Sequence, residues 1–293
     1  MVEMIMKTPD SLMQLKHCLR EADKNTYLIS GGTDLIIKIR QKKIHAKTII
    51  DLTGIEELKY IRVIDENICI GSNTTFTEII KSDILGAHCK CLVEAAGQVG
   101  STQIRNTATI GGNVANAFAG ADAIPALMVL DTRIKIMNSR GEVSVKALDD
   151  LVLGLGKNSL GFDEVIIEIQ IPMPLENCIT AFGKVGSRTR VTIAKLNMAI
   201  KLTIDSGKIL DAEVVLGALG PKAFRSLLAE GVLKGRRLDE QLKADLHIAL
   251  AEQVDISIAG RSSRPYKSEA IKGLADEVID KLLKYDSGKW VIL

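Results

Sequence analysis

No run in this sequence approaches the roughly 20 consecutive apolar residues that cross a bilayer. Its first ten residues, MVEMIMKTPD, lack the basic start and long apolar stretch of a secretory signal. These absences set two expectations, no membrane insertion and a cytoplasmic location. An excess of one charge is lacking too. The 38 Lys and Arg nearly cancel the 36 Asp and Glu, leaving no sequence-wide field to draw nucleic acid or an anionic membrane. Small ligands and other proteins are therefore the expected partners. Cysteine is sparse and odd in number: Cys18, Cys69, Cys89, Cys91 and Cys178 lie scattered through apolar segments, which argues against a disulfide framework and for reduced, buried thiols. Only Cys89 and Cys91 stand close together, and no further ligands at metal spacing accompany them, so no metal site is expected. Solenoid-like repeats and low-complexity segments are missing as well.

What is present is a globular composition, 46% apolar and 25% charged, over a length that suits two domains, since single cores seldom grow beyond roughly 250 to 300 residues. Leu12, Leu15, Leu19 and Ala22 form a helical stripe, with Ser11 and Gln14 at the spacing of an N-terminal cap. A strand over 27–30 then meets Gly31-Gly32-Thr33-Asp34 and the apolar Leu35-Ile36-Ile37. Residues 48–52, 60–64 and 68–70 are short β-branched strands, and 77–99 is one or two helices. A second glycine pair, Gly111-Gly112, follows, then an apolar segment at 124–127 and a strand at 133–137. The strand 165–171 closes the first domain. Pro172 and Pro174 interrupt regular structure there, giving domains 1–175 and 176–293. Beyond them, Leu196, Met198, Ile200, Leu202 and Ile204 alternate with Lys195, Asn197, Ala199, Lys201 and Thr203, the pattern of a half-buried strand. A second strand at 209–219 and helical stripes over 224–233, 242–254 and 271–282 complete an antiparallel sheet backed by helices.

The two Gly-Gly pairs are candidates for backbone amides that cradle phosphate, because a ligand approaches closely where Cβ is missing. Tight turns of no further purpose are the alternative. Neither pair belongs to a G-x-G-x-x-G or G-x-x-x-x-G-K-S/T motif, so the residues themselves stop at a phosphate-bearing cofactor.

The segments around those glycines resemble the flavoprotein subunits of the xanthine dehydrogenase and carbon monoxide dehydrogenase group, the molybdenum hydroxylases. Ser30-Gly31-Gly32-Thr33-Asp34-Leu35 is similar to the family's first FAD motif, and Gln103-Ile104-Arg105-Asn106 through Thr109-Ile110-Gly111-Gly112-Asn113 to its second. Residues 184–196, with Ser187-Arg188 and Ile193-Ala194-Lys195, resemble the opening of its C-terminal domain. The resemblance runs over nearly the whole chain. It implies an α+β protein with a two-subdomain FAD-binding domain of the vanillyl-alcohol-oxidase-like (PCMH) type and a smaller α+β domain after it. Ile29, Ser30, Gly31, Gly32, Thr33, Asp34, Leu35, Val99, Thr109, Ile110, Gly111, Gly112 and Asn113 are the implied FAD contacts. Asp122, Ile166, Lys184 and Lys195 are the implied residues on the flavin side. Two departures stand out. Asn116-Ala117-Phe118-Ala119-Gly120-Ala121-Asp122 lacks the family's usual proline, so access to the flavin edge is expected to differ, and Thr189-Arg190-Val191-Thr192 replaces a stretch often acidic in relatives.

The same resemblance implies that a partner subunit holds the molybdenum cofactor and another the [2Fe-2S] clusters, with none in this chain. Electrons would pass singly to FAD and in pairs to NAD or another acceptor, in a xanthine dehydrogenase-like complex that is a dimer of heterotrimers. A non-catalytic nucleotide-binding module and a free-standing flavin oxidoreductase are the competing readings. The second of these lacks room for a large substrate domain.

Overall fold

Among the described residues, short β-branched runs and helical stripes build two main sheets and a two-stranded ribbon before residue 175 and one further sheet after it. The computed structural model describes residues 4–189 and 191–286, so Arg190 of the altered loop lies outside the described residues. The first layer holds β1 (Ile5–Lys7), α1 (Leu12–Arg20), β2 (Thr26–Ile29), α2 (Leu35–Arg40) and β3 (Thr48–Asp51). Its three strands are parallel, with β3 in the middle. Helix α1 begins where the Ser11 side chain accepts from the Gln14 amide, while Gln14 Oε1 accepts from the Asp10 amide. Its apolar stripe, Leu15 and Leu19, packs on Ile50, Leu52 and Ile55.

The second layer runs through β4 (Ile61–Ile64), β5 (Asn67–Gly71), α3 (Phe76–Ile80), α4 (Asp83–His88), α5 (Lys90–Gln98), α6 (Thr102–Arg105), α7 (Ile110–Asn116), α8 (Ala123–Val129), β6 (Arg133–Asn138), β7 (Val143–Ala147), α9 (Leu148–Leu151), β8 (Val152–Gly154), β9 (Lys157–Asn158) and β10 (Glu164–Pro172). Five of these strands form an antiparallel sheet in the order β4-β5-β10-β6-β7. The stretch expected as one or two helices is three. A capping box between Thr75 and Glu78 starts α3, Ser82 caps α4, and the chain breaks again at Cys89.

The third layer holds β11 (Cys178–Gly186), β12 (Ala194–Asp205), β13 (Lys208–Gly217), β14 (Phe224–Arg225), α10 (Leu227–Leu233), α11 (Glu240–Ser257) and α12 (Arg264–Asp286). Its four-stranded antiparallel sheet follows chain order. One face presents Leu196, Met198, Ile200 and Leu216 to Leu246, Leu250, Leu274 and Val278 of the long helices. Through Phe182, Ala199 and Val215 the other face joins the core of the second layer. That second contact corrects the sequence reading of β12 as half-buried, since Asn197 and Ala199 are as buried as their apolar neighbours. The stripe expected as a helix from 224 starts later. Phe224 and Arg225 pair with Leu216 and Val215, and Ser226 caps α10. All five cysteines are free, with Cys69, Cys89 and Cys91 buried. Among the described residues no helix is long and apolar enough to cross a membrane.

Candidate functional site

The turn after β2 brings the first two layers together. Gly31 lies so close to the chain before α7 that a Cβ there would stand 2.0 Å from the Thr107 carbonyl oxygen. Gly32 takes φ +66°, a left-handed conformation that a Cβ strains. Ser30 Oγ donates to Asn73 Oδ1 at 2.8 Å, and Asn73 Nδ2 donates to the Leu52 carbonyl at 2.5 Å. Asn73 thus pins the glycine turn and the end of β3 to the second layer.

Beside this contact lies a cavity of about 390 Å³, walled by both glycine segments. Among the described residues, no acceptor is found for the backbone N–H groups of residues 30–34. A row of unpaired donors in a concave turn is the backbone arrangement that takes up phosphate oxygens. Beside them the buried Asn113 Oδ1, an acceptor, has no hydrogen-bond donor among the described residues. Of the residues singled out from sequence, Ile29, Ser30, Gly31, Gly32, Thr33, Asp34, Leu35, Thr109, Gly112 and Asn113 line the cavity.

The second glycine pair is not the tight turn with bare amides that the sequence suggested. Gly111 and Gly112 form the first turn of α7, capped by Thr109. The Ile110 amide donates to Thr74 O at 3.0 Å, Gly111 to Ser72 O at 2.9 Å and Gly112 to Thr109 Oγ1 at 3.3 Å. A Cβ on Gly111 would meet Ser72 Cβ at 2.6 Å. Gly111 is therefore a close-packing glycine behind the cavity wall, with Ile110 buried beside it.

Three polar side chains of the lining, Lys38, Asn116 and Asn158, were not among the cofactor contacts read from the sequence. Lys38 stands four residues after Asp34, one helical turn on, and its Nζ donates to Asn116 Oδ1 at 2.7 Å across the cavity wall. Among the described residues it is the one basic side chain of the lining. Asn158 reaches the same wall from β9 and donates to the Ala115 carbonyl at 2.6 Å. The i+4 spacing from Asp34 was the available signal for Lys38; Asn158 had none.

A second polar centre lies six residues beyond Asn116. Lys184 Nζ donates to Asp122 Oδ2 at 2.5 Å and to the Gln98 carbonyl at 3.0 Å. Asn197 Nδ2 donates to Asp122 Oδ1 at 3.1 Å and to the Ala121 carbonyl at 3.2 Å. Both side chains of the ion pair are more than nine-tenths buried. Burial pushes the Asp122 carboxyl above its ordinary value, against the pull of the Lys184 charge and the Asn197 amide. Val99 follows α5 in an extended conformation, and its carbonyl accepts from Arg105 Nη1. Ile166 is buried in β10 beside a β-bulge. Lys195, two residues before Asn197 in β12, makes no hydrogen bond or ion pair with Asp122 among the described residues; it is exposed, with its ammonium 5.0 Å from the Tyr266 ring centre. In the altered loop, Ala117 is left-handed at φ +47° and Phe118 is 45% exposed.

A cavity of about 440 Å³ opens at the far end of α8. There Lys222 is paired with Asp149, and Arg225 with Glu230 and Glu213, so much of its charge is already neutralised within the protein.

Residues 3–174 match the family model described as the FAD binding domain in molybdopterin dehydrogenase, and residues 181–282 match the CO dehydrogenase flavoprotein C-terminal domain. The chain is 33% identical over 282 residues to the nicotinate dehydrogenase FAD-subunit of Eubacterium barkeri, covering 94% of each chain. It is 28% identical over 264 residues to the xanthine dehydrogenase FAD-binding subunit of Escherichia coli O157:H7, covering 89% of this chain and 90% of that one. In fold it is similar to a chain of Cu,Mo-CO dehydrogenase, with a TM-score of 0.85 at 23% identity over 94% of this chain and 96% of that one. The glycine cavity, the layer order and these matches agree: the chain belongs to the FAD-binding subunits of the molybdenum hydroxylase family.

Proposed function

We propose that the cavity at the first glycine turn holds the diphosphate of FAD and that the chain passes electrons within a molybdenum-containing hydroxylase. The observation that carries this reading is the row of unpaired amides at residues 30–34, in a turn closed against Thr107 by Gly31. Lys38 supplies positive charge to the same cavity, and a charge-assisted contact to phosphate is stronger than a neutral one. Tyr27 and Ile44 in the lining offer an apolar wall to a base.

Asp122 and Lys184 are assigned to the flavin side, with Val99 and Ile166 behind them. Asp122 would accept from a ring N–H, and Lys184 balances the carboxylate's charge. When bound, FAD supplies the exchange between single electrons and electron pairs. The chain's scattered, largely buried thiols offer no ligand set for iron. We therefore assign the [2Fe-2S] clusters to a small partner subunit and the molybdenum cofactor, with choice of substrate, to a large one. NAD or another acceptor takes the electrons, and the whole is a cytoplasmic dimer of heterotrimers with domains 1–175 and 176–293 in each flavin subunit. The test is the visible spectrum of the complex purified from its native host, with identification of the released cofactor. Stoichiometric FAD together with iron–sulfur absorbance supports the assignment. A folded, colourless chain that takes up no added FAD overturns it.

A further inference from the structure

Lys184 and Asn197 are register partners on β11 and β12. Side by side on the face turned toward the FAD-binding layer, they divide Asp122 between them, Lys184 on Oδ2 and Asn197 on Oδ1. Each also holds a backbone carbonyl next to that carboxylate, Gln98 for Lys184 and Ala121 for Asn197. The carboxylate is thus fixed at both oxygens by side chains of the following domain.

Asn197 is fully buried, and its Oδ1 has no hydrogen-bond donor among the described residues. That oxygen sits against Gly217, its register partner on β13, where a Cβ would stand 2.0 Å from it. Turning the amide over would set its oxygen against the Asp122 carboxylate and the Ala121 carbonyl, two acceptors. The orientation is therefore forced. A buried amide oxygen left unpaired is a cost, accepted here at the one place where the NH2 group meets Asp122. Leu196 and Met198, on either side of Asn197 in β12, point into the helix-backed core. A small apolar residue like Ala199 would fill position 197 without an orphaned oxygen.

We propose that Asn197 is the positioning residue that aims the Asp122 carboxylate at a bound flavin, so that the C-terminal domain sets the flavin's reduction potential from across the domain boundary. This rests on the reading above that Asp122 faces the flavin. Lys184 neutralises the carboxylate's charge from Oδ2; Asn197 holds Oδ1 and so sets the plane of the carboxylate.

The test is a redox titration of the flavin in the complete multi-subunit enzyme, with FAD content measured alongside, for Asp122→Asn, Asn197→Ala and the double variant. Asn197→Ala is expected to keep FAD. It should move the potential in the same direction as Asp122→Asn by at least a tenfold change in the two-electron equilibrium, about 30 mV. In the double variant the Asn197 change should add nothing to Asp122→Asn, because it acts only through that carboxylate. An unchanged potential in Asn197→Ala, or an equal shift in both backgrounds, overturns the proposal. Should Asn197→Ala not assemble, Asn197→Val fills more of the space, loses the donor and adds no charge, and the same non-additivity decides. If Asp122→Asn itself leaves the potential unmoved with FAD bound, the placement of the flavin at Asp122 is what has failed.

Discussion

Lys38 is the residue on which charge matters most at the cavity. Its ammonium rests on Asn116 Oδ1 and is the one basic group of the lining among the described residues. A charge-assisted hydrogen bond contributes roughly 1.5–3 kcal/mol, so Lys38→Gln should weaken FAD binding by about ten- to a hundredfold and flatten its salt dependence. Fluorescence titration of the apo-chain at two salt concentrations checks this; unchanged affinity removes Lys38 from the site. Gly31 acts through shape. Gly31→Ala drives a methyl into the Thr107 carbonyl, an overpacking that typically costs about 1–3 kcal/mol. It should both lower Tm and abolish stoichiometric FAD, whereas wild-type FAD content would separate the turn from the cofactor. At this scale the sequence was legible where a residue type has few other uses. Gly31 and Gly32 announced themselves, but Asn73, Lys38 and Asn197 are ordinary residues whose roles exist only once distant segments meet.

At the level of elements, the central strand β10 carries a carboxylate that ties the sheet together. Glu168 is buried and accepts from Tyr60 Oη at 2.5 Å, from Gln170 Nε2 at 2.6 Å and from Lys135 on the adjacent β6. Burial acts to raise its pKa, but the Tyr60 and Gln170 hydrogen bonds and the Lys135 charge outweigh it, and the carboxyl is held below its ordinary value near 4.5. A lowered folded-state pKa stabilises above that ordinary value and is lost as pH falls through the folded value. Stability should therefore decline on acidification below about pH 4.5, and Glu168→Gln should make that acid limb shallower in a Tm-versus-pH series; an identical limb contradicts the assignment. Element types were largely readable, because periods of 2 and 3.6 survive in any context. Their partners were not. Alternation in β12 signals one apolar face, and small residues such as Ala199 on the other face do not reveal that a second core covers it. The second glycine pair was misread for a similar reason. Glycine at a helix start packed on Ser72 looks, in sequence, like glycine in a turn.

Across the whole molecule, the two domains are interlocked. Glu94 of α5 accepts from the Phe182 amide of β11 at 2.7 Å and from Tyr285 Oη of α12. Lys281 donates to the Phe182 carbonyl at 2.7 Å, and Phe182 itself belongs to the core of the FAD-binding layer. Glu94→Ala strands a buried amide, a loss of about 1–3 kcal/mol. The wild-type chain should melt in one transition, and the variant should melt lower or split into two. A variant that melts as the wild type does would show that the interlock contributes nothing. The order of the motifs along the chain resembled a known family and carried the architecture, whereas the contact between domains, with Asp122 held by Lys184 and Asn197, needed coordinates.

The free amides of the first glycine turn are the proposed seat of the FAD diphosphate. Hydrogen exchange of the apo-chain with and without added FAD reads those amides directly. Slowed exchange across residues 30–34 on binding is the predicted result. Stoichiometric FAD binding with exchange in that turn unchanged would mean that the cofactor is held elsewhere.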